Sequence, residues 1–518
     1  MNFYGRTCIL ANYTEQAILD ASKDLSKLDT IISQIITNSN PIHEQNKKEM
    51  EYLKAYYYGD QDIKLKEKYT RPEINNKIVE NWAFSSVDFK KTYLLGRPIQ
   101  YVRLNDSSEE EIANLNRYVR YENKKAKDME IYEDVLVCGR GYRYVNKDHK
   151  TPPDEAPFEI INCDVLNTEV VYSSNMGHEQ LFEIVYTPMT KDVTKTNDEG
   201  FEVTVPMPYN IYTVYLRNMV LEYTDESGKV IRNTKVKPRP LILKEHLITE
   251  YYVNRKRISL IELVKDLLDE INNLESLDAD DLEQYVNAIM VFINAQLSDG
   301  DLDEIKSQGA VCINSDENKK ASVDLLQGTL NSNNTQINYN RLINALHQII
   351  GVPVASDYGV ASNGDTGKAK LTGQGYTSAG IRAEGDETMF GRCDFNSLKT
   401  IIAVCRITDN SGIKTLKVSD IDSKFQRDMS DNLLIKTQGL MNLYSCDIPR
   451  EYANAMVNLF PDSHAVSQEQ QKLFGDQVSQ LDGKLNNNGN SEKTSDVDKA
   501  NEQENTIKNI EQIATQEQ

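Results

Sequence analysis

Two glycine-containing segments are the nearest approach to a nucleotide-binding site in this sequence. Residues 364–369 read Gly-Asp-Thr-Gly-Lys-Ala. A phosphate-binding Walker A loop needs a glycine five residues before the glycine of its Gly-Lys pair, and a hydroxyl after the lysine. Those positions hold Ser362 and Ala369, so the segment predicts a flexible loop. The segment Gly139-Arg140-Gly141 lacks the third glycine of a dinucleotide fingerprint and predicts a turn into a strand that begins at Tyr142.

The residues that could bind a metal or act as catalysts do not form a recognisable set. The six histidines are far apart, and no two have the spacing of ligands on one helix. One acidic cluster could offer carboxylates to a divalent cation: Asp278, Asp280, Asp281 and Glu283. A solvated helix face is the favoured interpretation, because one local cluster does not enclose a metal. The sequence therefore predicts no catalytic residue, no metal ligand, no cofactor and no enzymatic activity.

Two short segments interleave basic and aromatic residues, a mixture that suits phosphate contacts. They are Arg117, Tyr118, Arg120, Tyr121, Lys124, Lys125 and Lys127, followed by Arg140, Tyr142, Arg143 and Tyr144. The same residues serve equally well as a helix surface and as cross-strand pairs in a sheet. The sequence leaves both interpretations open.

The overall charge excludes one class of protein. The chain has 79 acidic and 58 basic residues among 518, a formal net charge of −21. A protein that binds DNA tightly by neutralising phosphates needs the opposite sign, so any contact with nucleic acid must be local or weak. No run of about 18 apolar residues occurs, which predicts no membrane span. The seven cysteines are scattered without a Cys-x-x-Cys pair and predict reduced thiols.

The elements that would position these residues form an α+β protein. Helical periodicity over 14–58 is interrupted by Pro41, where we expect a break, and Gly59 can close the helix. A second helix is predicted from Pro72 to Leu95. Residues 99–253 contain short β-branched and aromatic runs, among them a strand from Tyr209 to Leu221, with a helical insert over 108–137.

The second half of the chain reads mainly as helix. Residues 256–299 contain neither proline nor glycine and predict a helix of about 40 residues, or about 60 Å, with a break near 277–280. Further segments follow: a mixed segment over 310–327, a helix over 335–350, a loop over 352–368, a bent helix over 369–407, a strand near 413–427, helices over 430–482 and a disordered tail over 483–518.

The order and spacing of several short segments resemble one protein family. They are Tyr57-Tyr58-Gly59, Asn75 to Asn81, Thr92 to Tyr101, Gly139 to Val145, the long acidic helix, and Ile349-Ile350-Gly351-Val352-Pro353 before the glycine-rich loop. Together, over about residues 50–480, they resemble the portal proteins of long-tailed, siphophage-type double-stranded DNA bacteriophages. The sequence departs from that family at Thr366 to Lys370, where the family usually has Ser-Gly-x-Ala-Leu.

The resemblance implies a mainly helical portal fold within the α+β class. Its parts would be a wing over 1–255 joined by the strand at 413–427, stem helices over 256–295 and 335–351, and a small α/β clip over 296–334. They would continue with a tunnel loop over 352–368, the bent tunnel helix over 369–407 and a helical crown over 428–482.

The resemblance also implies a structural role at the capsid vertex of the virion, with assembly in the host cytoplasm. A dodecameric ring would surround a channel through which double-stranded DNA is packaged and ejected. The expected partners are the terminase large subunit, a head-tail adaptor, the scaffold and the major capsid protein, with no membrane. Two alternatives are another head-tail adaptor or minor capsid protein, and an enzyme that acts on DNA.

Six residues are candidates for lining the DNA channel. Carboxylates that face the bore would repel phosphate and keep the duplex from sticking, and Asp278 and Asp281 of the long helix are the first candidates. The tunnel-loop candidates are Asp357, Asp365, Lys368 and Lys370, of which the two lysines could contact phosphate transiently. The apolar side of the long helix would pack against neighbouring helices and subunits.

Overall fold

The computed structural model describes residues 5–69, 72–104, 109–148, 152, 155–196, 202–226, 228–286, 289–293, 322–326, 332–353, 376–426, 433–446, 448–457, 466, 469–470 and 472–473. The chain forms two compact units, Met1–Met429 and Ser430–Gln518. The first is a mixed α and β unit, as expected. In the second, helices α9 (Leu433–Ser445) and α10 (Arg450–Val457) pack together, and the Tyr444 hydroxyl donates to Asn454 at 2.6 Å. The tail over 483–518 lies outside the described residues.

Helix α2 (Leu25–Tyr57) follows the short helix α1 (Glu15–Ala21) and continues through Pro41, so the expected break at this proline is wrong. Proline removes one backbone donor, but Pro41 is exposed, and buried residues on both sides hold the helix against the rest of the unit. Gly59 ends the helix with a φ of +90°, as its position predicts.

The helix expected over 72–95 begins ten residues late. Helix α3 spans Trp82–Leu95, and the Asn81 side chain caps it by accepting from the Phe84 amide at 3.2 Å. Residues 75–81 form no helix, because their backbone amides bond to side chains of a distant helix, described below. The predicted helical insert does form, as α4 (Glu109–Tyr121) and α5 (Lys124–Cys138).

The largest sheet has the strand order β1-β5-β6-β7-β8-β10, with β9 paired to β8. Its strands are β1 (Ile9–Ala11), β5 (Thr168–Ser173), β6 (Gln180–Thr196), β7 (Glu202–Tyr215), β8 (Met219–Glu226), β9 (Lys229–Arg232) and β10 (Arg239–Pro240). The single strand expected from Tyr209 to Leu221 is therefore wrong. It is two strands, and the Leu216 amide donates to the Met219 carbonyl at 2.9 Å in the turn between them.

Smaller sheets complete the first unit. Strand β3 (Gly141–Lys147) lies between β4 (Phe158–Cys163) and β11 (Ile248–Tyr251). A four-residue strand, β14 (Ile421–Lys424), forms within the interval 413–427 and pairs antiparallel with β2 (Gln100–Arg103). Two segments that are far apart in the sequence are therefore neighbours in this sheet.

The long helix α6 spans Leu260–Val286, 27 residues or about 40 Å, which is shorter than expected, and it has no break at 277–280. The apolar run Ile289–Ile293, which the sequence predicts as part of this helix, is instead strand β12, paired antiparallel with β13 (Ser322–Leu326). A run of β-branched and aromatic residues fits a strand once a partner strand is present. Helix α7 (Ser332–Ile350) packs against α6, and helix α8 spans Tyr376–Ile407.

Two hydrophobic cores stabilise the first unit, and α2 contributes to both. Its N-terminal half packs with α1 on the large sheet through Leu28, Ile32 and Ile36. Its C-terminal half packs through Met50 and Leu53 into the core shared by α3 to α8 and the sheet of β3, β4 and β11. Among the described residues, no helix is both long and apolar enough to cross a membrane. Six described cysteines are free thiols, in line with the prediction.

Candidate functional site

The buried face of helix α6 changes character along its length. In the first half it is apolar, with Ile261, Val264, Leu268 and Ile271 in the core. In the second half three polar residues at intervals of four, Asn272, Ser276 and Asp280, occupy the same side and are fully buried. Buried polar groups need hydrogen-bond partners, so this half of the helix must face a polar surface.

The partner is the extended segment that precedes α3. The Asn272 amide oxygen accepts from the Glu80 backbone amide at 2.8 Å, and the Ser276 hydroxyl accepts from the Ile78 amide at 2.9 Å. The Asp280 carboxylate accepts from the Asn76 amide at 2.6 Å. Four helical residues rise about 6 Å and two extended residues rise about 6.6 Å, so the two spacings match. This match explains why the segment before Trp82 is not helical.

Asp280 is the most heavily bonded member of this row. Besides the Asn76 amide, it accepts from Lys66 Nζ at 3.0 Å and Lys68 Nζ at 3.2 Å. Burial alone would raise the pKa of this carboxyl, but the Asn76 amide and the two lysines lower it to about 2. Asp280 therefore holds the extended segment on α6 and is not available to a channel or a cation.

Replacing Asp280 by asparagine should lower the free energy of unfolding by about 1–3 kcal/mol, because two ammonium groups and a backbone amide lose their shared carboxylate. The folded pKa is depressed, so this contribution is present above about pH 4 and is lost as the pH falls toward about 2. Guanidinium titrations should show that the difference in the free energy of unfolding between D280N and the wild type becomes smaller as the pH falls. The neighbouring exposed carboxylate provides the control, since Asp281→Asn should remain close to wild type. Equal stability of both variants at neutral pH would contradict the prediction.

The opposite side of α6 carries an exposed row of carboxylates. Asp266, Glu270 and Asp281 are exposed and fall within an arc of about 60° at 100° per residue. Of the two channel candidates on this helix, Asp281 lies on this exposed face and Asp278 is half-buried beside it. We call Asp266, Glu270 and Asp281 the acidic row; exposed Leu263 and Leu277 lie on the same side of the helix.

Glu283 of α6 accepts from the Asn76 side-chain amide at 3.1 Å, and three further acids of this helix also bond within the chain and lie outside the acidic row. Glu262 pairs with Arg6 and accepts from the Ser259 amide at 2.6 Å. Asp269 accepts from the Tyr56 hydroxyl at 2.8 Å and pairs with Lys265 at 2.5 Å. The third is Asp280. The contacts with Arg6, Tyr56 and Lys66 could not be inferred from the sequence, because these partners are distant along the chain.

Helix α7 is attached to α6 through the extended segment. The Glu80 carboxylate accepts from Trp82 Nε1 at 2.7 Å and from the Tyr339 hydroxyl at 2.8 Å, and the Trp82 ring meets the His347 ring edge-on at 5.6 Å. Helices α6 and α7 and residues 76–82 therefore form one continuous packed layer.

The candidate tunnel loop is bracketed by a contact between α7 and α8. Helix α7 ends at Ile350, and the Arg382 guanidinium of α8 donates to the carbonyls of Gln348 and Ile349 at this end. A cation at a helix C-terminus is favourably placed for the helix dipole. Residues 354–375 between these points lie outside the described residues, and with them the candidates Asp357, Asp365, Lys368 and Lys370.

Helix α8 is anchored in the core by a buried cluster of four charges. Asp394 of α8 pairs with Lys124 at 2.9 Å, and Asp128 pairs with Lys124 at 2.8 Å and with Arg143 at 2.6 Å. The Tyr101 hydroxyl also donates to Asp394, at 2.7 Å. Burial would raise the pKa of Asp394, but Lys124 and Arg143 keep it below its ordinary value. We call these four residues, Lys124, Asp128, Arg143 and Asp394, the charge cluster.

The second basic and aromatic segment is structural. Arg140 makes a two-bond pair with the buried Glu169 at 2.8 and 2.5 Å, Tyr142 is buried beside it, and Arg143 belongs to the charge cluster. The phosphate-binding interpretation of this segment is therefore wrong. In the first segment Lys124 and Tyr118 are buried, whereas Arg117, Arg120 and Lys125 remain exposed on α4 and α5. The residue types alone did not show which side chains of these two segments are exposed.

The described residues contain no group of three or more His, Cys, Asp or Glu side chains that could hold a metal ion. The acidic cluster that could have done so is divided by the helix, because Asp280 points into the protein and Asp281 to solvent. What the described part of this site offers is therefore a long, rigid helix with carboxylates on its exposed side.

Comparison with known proteins gives one family match. The family described as "Phage portal protein, SPP1 Gp6-like" matches residues 37–478, most of the 518-residue chain. The matched range includes α6, α7 and α8 and most of the elements that pack against them. No curated protein matches the chain. The chain therefore belongs to the family of SPP1 Gp6-like phage portal proteins, which are structural proteins of the bacteriophage capsid that serve DNA packaging.

Proposed function

We propose that this protein is the subunit of a ring-shaped channel at the capsid vertex, through which double-stranded DNA is packaged and later ejected. The ring is dodecameric, assembles in the host cytoplasm and becomes part of the virion. Its partners are the terminase large subunit during packaging, a head-tail adaptor afterwards, and the scaffold and major capsid protein during assembly. The protein itself does no chemistry on DNA.

The observation that carries this proposal is the acidic row on helix α6. A duplex that moves through a pore must not bind to the wall of the pore. Carboxylates on the wall repel the DNA phosphates and so prevent a stable contact between the duplex and the wall. The net charge of −21 favours the same behaviour over the whole ring. The packed layer of α6, residues 76–82 and α7 provides a rigid support for a wall of this kind.

The parts of the subunit follow the order along the chain. We assign the wing to 1–255 with the strand at 413–427, the stem to 256–295 and 335–351, and the clip to 296–334. The tunnel loop is 352–368, the bent helix 369–407 and the crown 428–482. Within this arrangement the tunnel loop presents four residues to the DNA: Asp357, Asp365, Lys368 and Lys370. The two lysines contact phosphate transiently. On the long helix, Asp278 and Asp281 face the bore.

Electron microscopy of the purified full chain tests the ring. We expect particles with a central hole wide enough for a DNA duplex and a mass that corresponds to 12 copies within the error of mass photometry. Only monomers, or particles without a hole, would contradict the proposed function.

Charge reversal on the acidic row tests the non-adhesive wall. The variant D266K/E270K/D281K should bind duplex DNA at least about ten-fold more tightly than wild type at low salt, with an affinity that falls steeply as salt rises. The control E44K/E159K/E179K makes the same change in charge at exposed positions outside α6. Gel-shift titrations of intact rings measure the difference. Equal DNA binding by the two variants would show that the acidic row does not face the channel.

A further inference from the structure

Strands β6 and β7 extend well beyond the sheet to which they belong. Strand β5 pairs with β6 only over Gln180–Val185, and strand β8 pairs with β7 only over Ile211–Tyr215. From the pair Pro188 and Asn210 to the pair Thr196 and Glu202, the two strands pair only with each other among the residues that the structure describes. These nine residues span about 30 Å at 3.3 Å per residue. We call this two-stranded extension the ribbon.

The two faces of the ribbon differ in character. Residues that stand opposite each other in an antiparallel pair share a face, and successive residues alternate between faces. One face has the pairs Met189 with Tyr209, Lys191 with Met207, and Val193 with Val205. The other has the pairs Thr190 with Pro208, Asp192 with Pro206, and Thr194 with Thr204. We call them the apolar face and the polar face.

The apolar face is uncovered by the described residues of its own subunit. Met189, Val205 and Met207 expose 42%, 39% and 39% of their surface. Alternation of apolar and polar residues is typical of a strand pair with one face buried and one in water. An isolated two-stranded hairpin is also only marginally stable in water, so a ribbon of this length is expected to lie against another surface.

We propose that the apolar face of the ribbon docks on the neighbouring copy of this chain. The inference rests on the proposed ring, in which every subunit has a neighbour on each side. A ring of identical subunits closes through a head-to-tail interface, in which one surface of each copy meets a different surface of the next. The ribbon supplies the projecting surface of that interface, and its length of about 30 Å is sufficient to reach across a subunit boundary.

The charge on this face favours the same partner. Lys191 is exposed among the apolar residues, and the copy on which it would dock has a net charge of −21. The net negative charge of a second copy of this chain favours its approach to a cation within an apolar patch. Docking covers methionine and valine side chains that water would otherwise contact.

Two adjacent residues of strand β7 give a matched pair of variants for the test. Val205→Glu places a charge on the apolar face, and Thr204→Glu places the same charge on the polar face. Both positions are exposed in the subunit, so both variants should keep the wild-type melting behaviour of the subunit. By mass photometry of the full chain, V205E should raise the concentration at which rings form by about ten-fold or more, whereas T204E should leave it unchanged.

A photo-crosslinking amino acid identifies the partner directly. Placed at Met207 on the apolar face, it should link one copy to the next in purified rings that contain no other protein, and several-fold more efficiently than at Thr204. Rings that form normally with V205E and give no link from position 207 would overturn the inference and leave the ring proposal intact. A link from position 207 only to the major capsid protein, in assembled particles, would also overturn it. A wild-type chain that forms no ring would overturn the proposed function and this inference together.

Discussion

Replacing Asp394 by asparagine should lower the free energy of unfolding by about 3–5 kcal/mol, the cost of breaking a buried ion pair by removing one partner. Asp394 is fully buried, and its carboxylate balances Lys124 and Arg143 together with Asp128. Asparagine has nearly the same shape, so the change removes charge without opening a cavity. One cation of the charge cluster then remains buried without compensation. Chemical denaturation at neutral pH measures the loss.

A double-mutant cycle separates the ion pair from packing. If the charge cluster is the cause, D394N/K124M should be more stable than the sum of the two single changes predicts, because it removes one charge of each sign. The substitution Asp409→Asn, two residues after the end of α8 at an exposed position, provides the control and should change stability little. A strictly additive cycle would contradict the proposed role of the cluster.

Replacing Gly139 by alanine should cost about 2–4 kcal/mol, the second-largest effect that we expect. Gly139 ends helix α5 with a φ of +86°, a conformation that is unfavourable for residues with a side chain. An added Cβ would also lie 2.0 Å from the carbonyl oxygen of Arg257, which cannot yield without moving the backbone that enters α6. Thermal or chemical unfolding of the purified variant measures the loss.

Gly228 provides the matched control for this change. It has a similar φ of +79° in the hairpin between β8 and β9, but none of the described residues beyond its chain neighbours comes within 4 Å of the position of an added Cβ. Gly228→Ala should therefore cost only the conformational part, about 1–2 kcal/mol. The difference between the two variants measures the clash with Arg257. Equal costs would indicate that the close approach of the two backbones is unimportant.

These interactions explain how helices α6, α7 and α8 are held together. The charge cluster fixes the second half of α8 in the core, Arg382 joins the first half of α8 to the end of α7, and Glu80 joins α7 to the segment on α6. Each link joins residues that are far apart in sequence. A change that weakens one of them should therefore disturb the geometry around the candidate tunnel loop as well as global stability.

The sequence alone identified the class of fold, the helical insert, the turn at Gly139 and the family. Each of these depends on local patterns, namely hydrophobic periodicity, turn residues and the order of short motifs along the chain. Net charge and the absence of a complete phosphate-binding motif likewise needed only composition and spacing. The solvated helix face predicted for the acidic cluster is confirmed for Asp281 and Glu283 and is wrong for Asp280, which is buried.

Only the tertiary structure decided that α2 continues through Pro41, where α6 ends, why 75–81 is extended, and which charged residues are buried. Pro41 stays within a helix because packing on both sides outweighs one lost hydrogen bond. Asp280 and Asp281 are neighbours in sequence, yet one bonds two lysines inside the protein and the other faces water. Periodicity is a property of neighbouring residues, whereas the Lys66 and Asn76 partners of Asp280 and the Lys124 partner of Asp394 are brought there by the chain from 200 or more residues away, and no local pattern encodes those contacts.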